Sequence, residues 1–278
     1  MKIDLHIHSR YAPNGKLPLR DIFERAKAVG IGALAVTDSY CIDGIPEALE
    51  LGREYGITVV KGVEMQADSR VHILCYKFDE NNEALRTMLK QARQWTSKGR
   101  LERIFQNLTG KYRVCITLED VCRLLNTSAP STKQICEALA KLGIAIDWKA
   151  AKAKYFAPDS PNGSCYVGAL YSPEQLVAFG KQAGGRAILA HPHQIERKEV
   201  SLDELMTRLA NAGLDGIEVH YNNQFTDDAK RQAALELKEK HGLSLVSGGS
   251  DFEGEAITCL GGEPQILSEM VSAELLEE

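Results

Sequence analysis

The amino-acid sequence predicts an α/β fold: a distorted barrel of seven strand and helix units, interrupted by an α-helical insert. Three observations lead there. Seven short apolar runs rich in Val, Ile or Leu recur along the chain, as buried strands should. Amphipathic helical stretches separate most of them, an alternation that argues for a parallel barrel. Between residues 80 and 165 the strand-like runs nearly stop. A length of 278 residues suits a barrel of about 250 residues, or a barrel with a small insert.

The strand candidates are Lys2–Ile7, Ala33–Val36, Thr58–Val63, Val71–Tyr76, Ala187–Ala190, Gly216–Val219 and Leu243–Val246. The helical stretch Leu19–Val29 places Ile22, Phe23, Ala26 and Val29 on one face, and Ile45–Tyr55 does so with Ala48, Leu49 and Leu51. Ser172-Pro173-Glu174-Gln175 combines an N-cap, a first-turn proline and a capping-box glutamine, and Ser201-Leu202-Asp203-Glu204 is a second capping box. Asn82–Lys111 reads as one long charged helix, followed by shorter ones at Thr117–Asn126, Thr132–Leu142 and Asp147–Tyr155. A Pro/Gly/Ser-rich return follows at Ala157–Ser164. The expected organisation is a first barrel part at 1–79, a helical insert over the barrel mouth at 80–165, and a second barrel part at 166–278.

Composition removes several classes. Hydrophobic residues at 44% and charged residues at 26% match soluble globular domains, so the whole chain is not disordered, collagenous or a coiled coil. A net charge of −5 gives no whole-chain footprint for duplex DNA, although a local basic cleft stays open. An aromatic content of 6% leaves little material for a base-stacking platform. No run of eighteen apolar residues is present to span a membrane. The seven cysteines are odd in number, scattered and without a CxxC pair, which argues against structural zinc or a disulfide framework. Together with the lack of a signal-peptide pattern, this makes the cytoplasm the expected compartment. There is no Walker loop, no GxGxxG after a strand and no nucleophile elbow.

In barrels of this kind the chemistry stands where strands end. Strand one ends in His6-Ile7-His8, strand two in Thr37-Asp38-Ser39, strand three in Glu64, and strand four begins near His72. Strand five ends in His191-Pro192-His193, strand six in Glu218-Val219-His220, and strand seven in Gly249-Ser250-Asp251. His6 and His8 are two apart on a strand, so both imidazoles share a face. A lone HxH is weak evidence, and each histidine alone is better read as a satisfied rim residue. Six of the seven histidines fall in or beside strand ends, and that convergence favours a metal site of mixed imidazole and carboxylate.

Asp4-Leu5-His6-Ile7-His8-Ser9, Val36-Thr37-Asp38, Gly62-Val63-Glu64, Val71-His72-Ile73-Leu74, Leu189-Ala190-His191-Pro192 and Ser247-Gly248-Gly249-Ser250-Asp251-Phe252 resemble, in order, the motifs of the PHP (polymerase and histidinol phosphatase) superfamily. The insert is placed as in the nucleotide-hydrolysing PHP phosphoesterases, which include 3′,5′-nucleoside bisphosphate phosphatases and RNase relatives. The resemblance implies a distorted (β/α)7 PHP barrel with two or three divalent metals. It implies that His6, His8, Glu64 and Asp251 hold one metal, and that Glu64 bridges to a second held by His72 and His191. At the third-metal positions the chain carries Asn14, Ser39 and Glu253, a joint departure that predicts a binuclear centre, with Glu253 left at most to a weak third cation.

Two adjacent divalent ions suit attack on phosphate esters. The expected activity is metal-dependent hydrolysis of a small phosphorylated metabolite, whether nucleotide, cyclic phosphate or sugar phosphate, by a metal-bridging hydroxide. The cofactor would be Mn2+, Fe2+ or Zn2+. The alternatives are a 5′-3′ exonuclease on short RNA, or a catalytically impaired nucleotide-binding regulatory protein. Arg197, Lys133, Arg186 and His220 are candidates for substrate contacts, and His193 for a general acid beside Glu64 and Asp251. The string Ser131-Thr132-Lys133-Gln134 departs from the Arg-Pro-His-like string of the nucleotide-hydrolysing relatives.

Overall fold

The computed structural model describes residues 1–195, 201–221, 227–254, 260–262 and 264–277. Arg197 and Cys259 therefore lie outside the described residues. The chain divides into two compact units, Met1–Gln91 with Tyr171–Glu278, and Ala92–Leu170.

The first unit is a seven-stranded sheet in the order β1 to β7: Lys2–Ile7, Ile31–Val36, Thr58–Gln66, His72–Tyr76, Arg186–Leu189, Gly216–Tyr221 and Leu245–Gly249. The edges come together just beyond β7, where His8 N–H donates to Phe252 O at 2.8 Å and Phe252 N–H to His6 O at 3.3 Å. The sheet is thus nearly closed into a barrel. Besides most of α3 (Glu83–Gln94), five helices serve this unit by packing or connection: α1 (Leu19–Val29), α2 (Ile45–Tyr55), and later α8 (Pro173–Gln182), α9 (Leu202–Asn211) and α10 (Asp228–Lys240). On α1 the buried face is Leu19, Ile22, Phe23 and Ala26. Val29, expected on that face, is 42% exposed at the helix end. Both capping boxes are formed, at Ser172 with Gln175 and at Ser201 with Glu204. Ile3, Leu5, Ala35, Leu74, Ile188 and Leu245 belong to one buried cluster drawn from strands around the sheet.

One strand departs from the expected parallel arrangement. β4 runs antiparallel to both β3 and β5. Only residues 67–71 separate β3 from β4, and Ala67 N–H closes that turn onto Val71 O at 2.8 Å. A parallel crossover needs about a dozen residues, so this connection permits only a hairpin.

The expected single helix over Asn82–Lys111 is two helices. α3 (Glu83–Gln94) and α4 (Arg100–Tyr112) meet through a π-helical turn at Trp95–Gly99. A Cβ at Gly99 would stand 3.0 Å from the Trp95 ring, so glycine allows the widened turn to fold over the indole. The second unit begins near the end of α3, at Ala92, and closes at Leu170. α5 (Leu118–Leu125), α6 (Thr132–Lys141) and α7 (Trp148–Tyr155) follow. Thr117 and Ser131 form capping boxes and Asp147 caps α7. This unit has its own core, which includes Ile104, Leu108, Val121, Ile135, Leu139 and Tyr155.

Candidate metal centre

Six strand ends carry polar side chains to one place. His6 and His8 arrive from β1. Glu64 lies in β3, and His72 opens β4, whose reversed direction brings its first residue to the end where the parallel strands finish. His191 follows β5, Glu218 lies within β6, and Asp251 follows β7. Gly249 makes the approach possible, because a Cβ there would stand 2.2 Å from the His6 Cβ. His191 and Asp251 have φ of +26° and +54°, a strained backbone for residues with side chains.

Two ligand groupings result, His6 with His8 and Asp251, and His6 with Glu64 and His191. His6 Nε2 lies 3.5 Å from Glu64 Oε1 and 3.5 Å from Asp251 Oδ1. His8 Nε2 lies 3.1 Å from Asp251 Oδ1 and 3.8 Å from Glu64 Oε2. His191 Nε2 lies 3.6 Å from Glu64 Oε1, and His72 Nδ1 donates to that same oxygen at 2.7 Å. One oxygen of Glu64 thus faces three imidazoles. His6 Nε2, His8 Nδ1 and His191 Nδ1 are buried without a hydrogen-bond partner. Buried polar atoms of this kind are costly unless something satisfies them. A crowd of imidazole nitrogens and carboxylate oxygens with lone pairs to spare fits a divalent cation of the manganese, iron or zinc type.

Electrostatics agrees with that fit. Burial disfavours protonated His6, but the charges of Glu218 and Asp251 outweigh it and hold its pKa well above the ordinary histidine value. His8 is raised against burial by its hydrogen bond to Asp251. Burial pushes the Glu64 carboxyl up, yet His72, His191 and His6 bring it well below its usual range. Asp251 is lowered against burial by His6 and His8. The carboxylates stay ionised and the site attracts positive charge.

Sequence reasoning missed the residues that hold the ligands still. Glu218 is buried, accepts from His6 Nδ1–H at 3.1 Å and from His191 N–H at 2.8 Å, and so turns His6 Nε2 toward the cluster. Its place in the Glu218-Val219-His220 strand end was the available signal. Tyr221 donates to Asp251 Oδ2 at 2.8 Å and accepts from Gln194 at 2.7 Å. Asp4, fully buried, accepts from His6 N–H, from Ser250 N–H and Oγ–H, and from Gly261 N–H, tying β1 to the end of β7. Asp38, by contrast, reads from its strand-end position as a structural carboxylate rather than a ligand, and it accepts from Ser9 N–H and Oγ–H and fixes the turn after His8.

The other expected residues separate. Ser39 Oγ–H donates to Glu64 Oε2 at 3.0 Å, and Gln66 donates to the same oxygen at 2.8 Å. Asn14 Nδ2–H donates to Glu253 Oε1 at 3.0 Å. His193 stands beside Tyr221, ring centroids 4.9 Å apart. Burial, with the charge of His191, pulls its pKa down to about 4, so it is neutral at pH 7 and does not match the expected imidazolium acid. A register shift in β6 between Glu218 and His220 breaks the alternation and Tyr221 reaches Asp251 instead, while the charged neighbour of His220 is Arg231 on α10. Arg186 is corrected as well: it opens β5, at the opposite end of that strand from His191, and pairs with Glu274. Lys133 is an exposed residue of α6, 3.8 Å from Glu137.

Comparison with known proteins accords with this geometry. A model of the PHP domain matches residues 4–260. The 3′,5′-nucleoside bisphosphate phosphatase of Chromobacterium violaceum is 31% identical over 265 residues, covering 90% of this chain and 86% of that protein. The 5′-3′ exoribonuclease Rnm of Salmonella typhimurium is 28% identical over 259 residues, covering 90% and 84%. A solved structure from Bifidobacterium adolescentis, described as a metal-dependent phosphoesterase, superposes with a TM-score of 0.63 at 28% identity, covering 97% of this chain and 92% of that one. No helix among the described residues is long and apolar enough to cross a membrane.

Proposed function

The chain belongs to the PHP domain family, and from that premise we propose that it is a metal-dependent phosphoesterase that hydrolyses a phosphate ester on a small nucleotide with two divalent cations, Mn2+, Fe2+ or Zn2+. The observation that carries this reading is the convergence of four imidazoles on Glu64 and Asp251 with buried nitrogens left unpartnered. His6, His8 and Asp251 would hold one cation, His72 and His191 the other, and Glu64 both. Such a pair supplies Lewis acidity toward phosphoryl oxygens and lowers the pKa of water.

The protein's own part is to keep that donor set rigid. Glu218 selects the His6 tautomer, since a carboxylate accepts only and leaves Nδ1 as the nitrogen that carries hydrogen. Ser39 and Gln66 spend their hydrogens on Glu64 Oε2, which orients Oε1 toward His6, His72 and His191. Tyr221 holds Asp251 Oδ2 and leaves Oδ1 to face the histidines. Neutral His193 stands next to this tyrosine as a hydrogen-bonding group for substrate. A nucleotide substrate is supported by the Chromobacterium violaceum phosphatase, which matches along most of both chains. The test is a phosphate-release screen of the Mn2+-, Fe2+- and Zn2+-loaded protein across nucleoside bisphosphates, cyclic phosphates and sugar phosphates. Turnover is expected first on a nucleoside bisphosphate. Loaded protein that releases no phosphate from any of them would overturn the reading.

A further inference from the structure

We propose that an apolar groove in the helical unit joins two copies of this chain across a two-fold axis. The groove, 510 Å3 in volume, is lined by Ile116, Leu124, Leu142 and Ile144, with Asp120 and Arg123 among them. Apolar side chains left in water concentrate around it. Leu124 is 41% exposed, Leu142 48% and Ile146 96%. Single exposed apolar residues are ordinary, whereas several gathered at one recess mark an interaction surface. Ile146 is the extreme case, standing out into solvent two residues beyond the groove-lining Ile144. The same stretch of chain thus offers a projecting apolar side chain and a recess that can receive one.

Charge identifies the occupant as a second copy. Residues 92–170 carry a net of +6, against −11 for the rest of the chain. None of that excess falls on the segment that forms the groove. Residues 113–147, between the end of α4 and the start of α7, contain four Lys and Arg and four Asp and Glu. A strongly charged partner finds no complement there, while two copies of a balanced surface do not repel. The surface is also complementary to itself. Asp120 and Arg123 both line the groove, one helical turn apart, with the acid in the first turn of α5 and the base in the last. A two-fold axis through the middle of α5 lays that helix antiparallel to its copy and sets Asp120 of each chain opposite Arg123 of the other. Arg123 pairs within its own chain with Glu119 at 2.9 Å, but both side chains are largely exposed, and such a pair holds weakly enough to be exchanged. Ile146 of each copy then enters the other's groove, the reciprocal contact that a two-fold interface requires. The inference stands apart from the hydrolase reading, since no ligand of the metal centre takes part in it.

The test is sedimentation velocity of the full chain from about 1 to 200 μM, a range in which an interface of this kind changes from empty to filled. The wild type should pass from monomer to dimer. Ile146→Asp should raise the dimer dissociation constant about 30-fold or more, the loss expected for a central apolar anchor. Its circular dichroism should match the wild type, because the side chain is almost wholly in solvent. Arg123→Glu and Asp120→Lys should each weaken association, since each sets like charges opposite one another. Mixed in equal amounts, those two variants should associate, because a pair made of one of each has an acid opposite a base at both crossings. Should Asp120→Lys lose the cap of α5 and fold poorly, Ile146→Asp decides the matter alone. Wild-type protein that stays monomeric throughout overturns the proposal, and so does a monomer whose groove takes up an apolar dye or peptide, which gives the groove another occupant. A dimer that Ile146→Asp leaves as tight as before uses a different surface and overturns it equally. Well-folded charge variants that associate no better mixed than apart refute the two-fold register.

Discussion

Two edges of the same pocket meet the needs of their carboxylates in opposite ways. On one edge His6, His8, His191, Glu64 and Asp251 crowd together with buried nitrogens to spare. On the other, Asn14 donates to Glu253, and Ser39 and Gln66 donate to the outer oxygen of Glu64. Imidazoles bring lone pairs that a cation can use, whereas amide and hydroxyl groups bring hydrogens that satisfy a carboxylate without one. The contrast teaches that ligand capacity depends on which partners leave lone pairs over, more than on the number of acids present.

The harshest way to break the contrast is Glu64→Ala. Loss of the oxygen shared by His6, His72 and His191 should remove tightly held metal altogether, read by elemental analysis, and lower turnover by about 1,000-fold or more. Glu218→Gln should act next. It keeps the shape but removes the charge behind His6, and cation affinity by calorimetric titration should fall about 10- to 100-fold. Acidity offers a gentler probe. In chelator, His6 and His8 have raised pKa values, so their stabilising contribution is full below the ordinary histidine value of 6.5 and is lost as pH rises through the raised ones. Glu64 and Asp251 are lowered, so theirs is present above 4.5 and 3.8 and is lost as pH falls through the lowered ones. Thermal unfolding of chelated protein should therefore show this cluster contributing most between about pH 5 and 6.5. Added cation must displace the histidine protons, so its affinity should rise with pH. Asn14→Ala should do least, leaving metal content unchanged and costing about 1 kcal/mol in a denaturant titration. A loss of metal in that variant would erase the distinction between the edges.

Much of this was legible in the sequence. The seven strands appear near their expected positions because short apolar runs between amphipathic stretches have few other uses. The ligand types stand out because histidines at strand ends serve no packing need. The direction of β4 was missed, although five residues cannot carry a crossover. Other features depend on backbone detail that residue identity does not encode. The irregularity in β6 exchanged His220 for Tyr221 at the site, and the π-turn divided a helix whose pattern looked continuous. Arg186 precedes His191 closely along the chain, yet β5 holds its two ends apart, and that separation is not written in the residue types. Averaging the charge over all residues hid the division between an acidic barrel and a basic helical unit.

The hairpin of β3 and β4 bears on how the pocket comes together during synthesis. Glu64 and His72 touch across eight positions of chain, whereas His8 and Asp251 touch across 243. A hairpin closes in microseconds once its residues are free to move. The nascent polypeptide can thus present a carboxylate and an imidazole in working proximity long before its last strand leaves the ribosome, and the arrival of Asp251 becomes the event that completes the pocket.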